Sequence, residues 1–186
     1  KFVRDTLSRD EYFKIVSRTK EYIKGGYTFQ CEVGFKSEYE IKGDVIQIYE
    51  KLREVNPSPY MYYLNFNDKK IIGASPELLF SLLSGEAETH PLAGTIRRGE
   101  TELEDKRLAR DLLNDPKEVA EHNMLVDMHR NDIGRISQFG TVKIRNLMDV
   151  KKFKFVQHIG SEISGIIRPD RDMFDGLASL MPGGVL

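Results

Sequence analysis

Two glutamates three residues apart, Glu118 and Glu121 in KEVAEHNMLVDMHRND (residues 117–132), have the type and spacing that most directly suggest chemistry in this chain. On a helix such a pair shares one face, with Cβ atoms roughly 5–6 Å apart. Two carboxylates held that way suit a hard divalent cation, Mg2+ above all, which takes oxygen ligands and keeps waters that a substrate can share. The same acids would also serve as first-turn charges that favour the helix dipole, or as part of a solvated stripe. A second charge cluster, Arg130, Asn131 and Asp132, stands at the far end of the segment.

Other stretches carry single features. In HPLAGTIRRG (90–99), Gly94 and Gly99 let backbone approach a ligand, Thr95 offers a hydroxyl, and Arg97 and Arg98 could face an anion; the alternative is a surface loop between strand and helix. Glu77 follows a proline in GASPE at the start of a strand, as a positioned acid or an exposed edge residue. His158 lies inside the apolar run FVQHIGS, where a histidine is either a hydrogen-bonded core residue or, with its near-neutral pKa, a proton carrier. No zinc-like Cys/His spacing, P-loop, dinucleotide fingerprint or nucleophile elbow is present.

The elements that must position these residues are readable from caps, periodicity and turns. Ser8 with Glu11 makes a capping box, apolar residues recur at helical spacing to Ile23, and Gly25-Gly26 stops the helix, so residues 9–24 are predicted helical. YTFQCEVGF and SEYEIKG predict a hairpin, and Asp44 opens a short helix ended by Asn56-Pro57-Ser58-Pro59. YMYYLNF, KKIIGAS, ELLFSLL and EAETH, separated by turns at Asn67-Asp68 and Ser84-Gly85, predict an antiparallel meander. Thr101 with Glu104, and Asp115-Pro116 with Glu118, start two helices, the second closed by Gly134. GTVKIRN and residues 148–167 return to strand character before a helix near 173–180. Strand runs followed by helix runs predict an α+β fold, mainly antiparallel sheets flanked by helices, with residues 1–186 as a single domain.

The 186 residues carry 28 Lys and Arg against 29 Asp and Glu, a net charge of -1 that points to neither a nucleic-acid nor an acidic-membrane partner. No apolar run is long enough to span a membrane and the N-terminal residues lack a secretion signal, so the expected location is the cytoplasm. The lone Cys31 lies in an apolar stretch, is expected to pack, and fits a reducing compartment.

In order, NPSPYMYYL, IIGASPELLF, HPLAGTIRRGE, KEVAEHNMLVDMHRNDIG, GTVKI and FVQHIGSEISG resemble the chorismate-utilising enzymes, and most closely their anthranilate synthase component I branch. The resemblance implies that fold, with Glu118 and Glu121 helping to hold Mg2+ against a chorismate carboxylate. It implies Glu77 as general acid on the departing ring hydroxyl, and Thr95 and His158 as pocket residues that assist the chemistry, with Gly94 and Gln30 at the substrate. Arg130, Asn131 and Asp132 would be structural. Gln30 stands where water-activating family members carry lysine, and Ala93 where 4-amino-4-deoxychorismate synthases carry a nucleophilic lysine. Both point to a Mg2+-dependent lyase that turns chorismate and ammonia into anthranilate and pyruvate in tryptophan biosynthesis, the ammonia coming from a glutamine amidotransferase subunit. Asn56, Pro57, Ser58, Pro59, Tyr60 and Met61 resemble one wall of the family's feedback site.

The chain departs from the family pattern in FQCEVGF and at its end, where Val185 occupies a threonine position. The resemblance therefore implies a central part of a larger protein, without the further Mg2+-binding glutamates, so activity is expected of the parent and left open for this chain. Uncovered sheet edges would favour oligomers. The competing readings are a 4-amino-4-deoxychorismate synthase component I and a module that binds chorismate or a partner without turnover.

Overall fold

The computed structural model describes residues 1–183, so Val185 and its threonine correspondence lie outside the described residues. The described residues fall into two compact units, residues 1–48 and 49–183.

In the first unit, helix α1 (Arg9–Lys24) follows strand β1 (Phe2–Asp5) and precedes strand β2 (Ser37–Tyr39). The capping box forms as read: Glu11 Oε2 accepts from the Ser8 N–H at 2.8 Å and the Glu11 N–H donates to Ser8 Oγ at 3.3 Å. Gly25 closes the helix by donating to Glu21 O at 2.9 Å. The predicted hairpin does not form. Residues 28–36 run without regular structure, and β2 instead pairs antiparallel with β1. YTFQCEVGF has no Asn-Gly or Asp-Gly turn to fold it back on its neighbour, whereas β2 gains Arg4 Nε against Glu38 at 2.8 Å and Ser37 Oγ donating to Asp5 at 2.5 Å. Cys31 is exposed rather than packed.

Helix α2 (Ile46–Val55) starts where the Ile46 N–H donates to Asp44 Oδ1 at 3.1 Å. In the second unit, β3 (Tyr60–Phe66) and β4 (Lys69–Ser75) form a hairpin of their own, in register from Tyr60↔Ser75 to Phe66↔Lys69. A second hairpin, β5 (Leu78–Leu83) and β6 (Glu86–His90), turns through Ser84 and Gly85, both at positive φ as a tight hairpin turn requires. It opens a five-stranded antiparallel sheet with β7 (Leu92–Arg97), β8 (Lys143–Lys152) and β9 (Val156–Ile166). Strand β9 is its axis: residues 163–166 pair with β6, residues 156–160 with β7, and β8 runs along the other edge.

Helices α3 (Glu102–Asn114), α4 (Pro116–Ile136) and α5 (Met173–Leu180) complete the unit. The helix starts at Thr101 and Asp115 are as predicted; Asp115 Oδ1 accepts from the Lys117 and Glu118 N–H groups at 2.9 and 3.3 Å. Gly134 does not end α4. Ile133 and Ile136 continue the buried stripe across it, and that burial outweighs the roughly 1 kcal/mol a mid-helix glycine costs. The core joins Ala87, Val126, Ile133, Ile136, Ile163 and Leu180, with Phe80, Leu82 and Val142 packed against it. The α+β architecture of antiparallel sheets and flanking helices is the one the sequence predicts. Among the described residues no helix is long and apolar enough to cross a membrane.

Candidate functional site

Strand β7 is a strand where the sequence left open a loop, and its irregularity builds the site. Ala93 pairs with Ile159 and Thr95 with His158, leaving Gly94 as an extra residue at φ +75°. A bulge of this kind bends a strand and re-aims its side chains. Here it turns the Gly94 carbonyl onto His158 Nδ1 at 3.2 Å, while Thr95 Oγ1 stands 3.0 Å from the same nitrogen. A carbonyl oxygen only accepts, so Nδ1 carries the ring proton and Nε2 keeps its lone pair. Burial pushes the imidazole below its ordinary range, opposed by the Gly94 carbonyl. The ring of Phe153 meets it edge-on at 5.6 Å.

On its other side the bulge meets α4. A Cβ added at Gly94 would come within 3.1 Å of Glu118 Oε2, so the absent side chain lets the helix carboxylate sit against this strand. Glu118 and Glu121 do share a face: Lys117 Nζ reaches Glu118 Oε1 at 3.2 Å and Glu121 Oε1 at 3.1 Å. The pair is thus already arranged around a cationic group, Lys117, whose ammonium these hydrogen bonds hold above its ordinary range. A hard divalent cation with several waters suits this donor set. Among the described residues no third His, Cys, Asp or Glu joins them to make a fuller metal cluster.

Glu77 is tied to the start of the same strand, with its Oε1 accepting from the Leu92 N–H at 2.9 Å. Burial raises its carboxyl pKa, and the Leu92 bond opposes that only partly. Pro76 and Leu92, which flank this contact, line a cavity of about 400 Å3 with Pro59, Tyr60, Lys151 and Phe153. Of the six residues of the NPSPYM stretch, Pro59 and Tyr60 therefore reach the neighbourhood of Glu77. Asn56 closes α2 through its N–H to Leu52 O, and Met61 pairs with Ala74 in the hairpin. Gln30 belongs to the first unit, on the irregular stretch where Thr28 Oγ1 donates to its carbonyl at 2.8 Å.

Arg97 and Arg98 do not face an anion from solution. Arg97 is bound to Glu104 at 2.5 Å, and Arg98 grips Asp105 through two bonds of 2.8 and 3.0 Å. Asp105, only 4% exposed, also accepts from Lys152 Nζ at 2.8 Å, Gly99 N at 2.9 Å and Gln157 Nε2 at 3.1 Å. The Arg98, Lys152 and Gly99 donors hold its carboxyl well below the usual carboxylate range. Reading the sequence overlooked this cluster, although Asp105 sits in the first turn of a capped helix seven residues after Arg98. It fixes Gln157, and with it the neighbouring His158, to the end of β7 and the start of α3. In the RND cluster, Arg130 pairs with Asp127 at 3.4 Å and Asp132 O accepts from Ser179 Oγ at 3.1 Å, contacts within α4 and to α5.

The profile of a family described as chorismate binding enzyme matches residues 1–186. The chain is 54% identical over 184 residues to anthranilate synthase component 1 of Leptospira biflexa, covering 99% of this chain and 40% of that protein. It is 45% identical to anthranilate synthase component 1 of Acetivibrio thermocellus, again over 99% of this chain and 37% of the relative. The crystal structure of anthranilate synthase component I from Streptococcus pneumoniae superposes with a TM-score of 0.90 at 38% identity, over 99% of this chain and 40% of that one. The chain thus spans about two fifths of the length of the relatives it matches.

Proposed function

The chain belongs to the chorismate binding enzyme family, and on that footing we propose that it supplies one side of an anthranilate synthase component 1 site. There chorismate and ammonia become anthranilate and pyruvate, a glutamine amidotransferase partner delivering the ammonia. The observation that carries this reading is the convergence of Gly94, Thr95, His158 and Glu118 on one strand bulge, with Glu121 beside Glu118 on the same helix face. Similarity to relatives named anthranilate synthase component 1 supports it.

Each group in the site has a task its surroundings suit. Glu118 and Glu121 would hold Mg2+, which supplies positive charge for a carboxylate of the substrate. The raised pKa of Glu77 keeps its proton further up the pH scale, and with Oε1 engaged by Leu92, Oε2 is the oxygen free to carry it. Glu77 would donate that proton to the ring hydroxyl as it departs on ammonia addition. His158, neutral and with Nε2 unprotonated, can then take the ring proton as the pyruvyl ether leaves, while Thr95 and the Gly94 carbonyl hold its tautomer. Ala93 is buried beside Ile159 and brings no nucleophile, which favours a free amine over a covalent attack on the ring. Gln30 in place of a water-activating lysine favours the same outcome. Cys31, an exposed thiol, suits a reducing compartment, and we place the chain in the cytoplasm.

The test is a fluorescence time course for anthranilate with the chain, chorismate, Mg2+ and high ammonium, run beside Glu121→Gln. Signal that needs both Mg2+ and Glu121 would support the reading for this chain itself, and no signal would confine the activity to a longer parent. A product that retains the pyruvyl group would assign the 4-amino-4-deoxychorismate reaction instead, and signal indifferent to Glu121 would remove the carboxylate pair from the site.

A further inference from the structure

The inner stripe of α4 carries an imidazole where the core is otherwise apolar. His122 is fully buried, follows Glu121 directly and lies one turn beyond Glu118. Its Nε2 is 2.7 Å from Ser161 Oγ, and that hydroxyl also accepts from the Met148 N–H at 3.0 Å. Met148, at φ +57°, sits where β8 shifts register against β9. The Ser161 oxygen that takes the Met148 N–H keeps a second lone pair and its own proton, so either partner can be the donor in the bond to His122 Nε2. Nδ1 is buried without a hydrogen-bond partner. A leucine would fill the space without that unpaired ring nitrogen, a deficit that ordinarily destabilises a core, but would take from the buried Ser161 hydroxyl its side-chain partner. What the imidazole adds is direction: one hydroxyl ties α4, β9 and β8 at a fixed point.

The location of that point gives it a consequence. Toward the C-terminus, Leu125, Val126, Ile133 and Ile136 seat α4 on the sheet, and the other buried side-chain bond of the helix, His129 Nδ1 to Thr89 Oγ1 at 2.8 Å, lies seven residues further on. Toward the N-terminus the helix runs out to Glu121 and Glu118, the latter against Gly94. We infer that His122, through Ser161, is a positioning residue for the carboxylate pair: it sets the rotation and height of the first turns of α4, so that Glu118 and Glu121 stand at the β7 bulge beside Thr95 and His158. This rests on the reading of the two glutamates as metal carboxylates.

Mn2+ binding to the 1–186 chain, followed by loss of the free-ion paramagnetic resonance signal, tests the inference together with amide hydrogen exchange along α4. His122→Leu removes the bond at similar volume; His122→Gln can place an amide oxygen near the former Nε2 and restore it. Outer partners of metal ligands are typically worth 10- to 100-fold in affinity, so His122→Leu is expected to weaken Mn2+ about 10-fold or more. It is also expected to speed exchange at residues 118–121 while 125–133 stay protected, with His122→Gln close to the native chain in both readouts. If His122→Leu does not fold, Ser161→Ala carries the same expectation. A folded His122→Leu that binds and exchanges like the native chain overturns the inference, as does a His122→Gln variant equal to it in loss. Exchange rising evenly along the whole of α4 also overturns it, marking ordinary core packing. Absence of saturable Mn2+ binding by the native chain removes the metal reading alone, and the exchange pattern then decides the positioning by itself.

Discussion

Glu77 and His158 are two titratable groups that burial pushes in opposite directions on the pH scale, each toward its neutral form. A carboxyl that keeps its proton and an imidazole that sheds one are an acid and a base ready at the same pH. Glu77→Gln keeps the shape and the Leu92 bond but cannot give up a proton, so anthranilate formation should fall by about 10²- to 10⁴-fold with little change in KM. Steady-state fluorescence rates check this, and an unchanged kcat would take Glu77 out of the reaction. Because the acid form is the active one, the rate should decline as pH rises through the raised pKa of Glu77. That alkaline limb should be absent from whatever activity Glu77→Gln retains.

At the scale of elements, the site depends on one bulge and one helix. Gly94→Ala would place a side chain at positive φ, costing roughly 1–2 kcal/mol, and push against Glu118. It should lower the melting temperature and weaken Mg2+ together; a variant with native metal affinity would separate the bulge from the carboxylates. The Asp105 cluster holds the other end of β7. Its carboxyl lies below its unfolded-state value, so its stabilisation is present above the ordinary aspartate range near pH 4 and is lost as pH falls through its lowered folded pKa. Asp105→Asn should therefore lower thermal stability at neutral pH and narrow the gap to the native chain in acid, as melting curves across pH would show.

These elements were unequally legible in the sequence. Helices α1, α3 and α4 announced their starts because caps are local chemistry: Ser8 with Glu11, Thr101 with Glu104, Asp115 with Pro116. The hairpins β3–β4 and β5–β6 were legible from alternation and short turns, but they lie in separate sheets and not in the single meander expected. The β1–β2 pairing was not, since it joins residues more than thirty positions apart through Arg4 and Glu38. The same limit hid the cluster around Asp105, which joins Arg98 at the end of β7 to Lys152 at the end of a distant strand. Glycine 94 could be read as a place of close approach, but the neighbour that approaches, Glu118, becomes visible only once α4 is laid against β7.

For the molecule as a whole, stability in mild acid should rest on a buried histidine. His129 is 2% exposed, its Nδ1 is 2.8 Å from Thr89 Oγ1, its Nε2 has no partner, and burial lowers its pKa to about 4. The unfolded chain binds that proton near pH 6.5, so His129 costs the folded state on the order of 3 kcal/mol as pH falls from about 6.5 to about 4, and His122, also lowered to about 4, adds to the decline. Urea denaturation across that range should show the decline in the native chain and a flatter profile in His129→Gln; equal slopes would assign the acid sensitivity elsewhere. In the second unit, Glu118, Glu121 and the bulged strand with His158 are proposed to form one chorismate site. Calorimetric titration of chorismate into the chain with and without Mg2+, beside Glu121→Gln, tests that claim most directly. Binding that requires both the metal and Glu121 is the predicted result; binding equal in all three samples, or none in any, would contradict it.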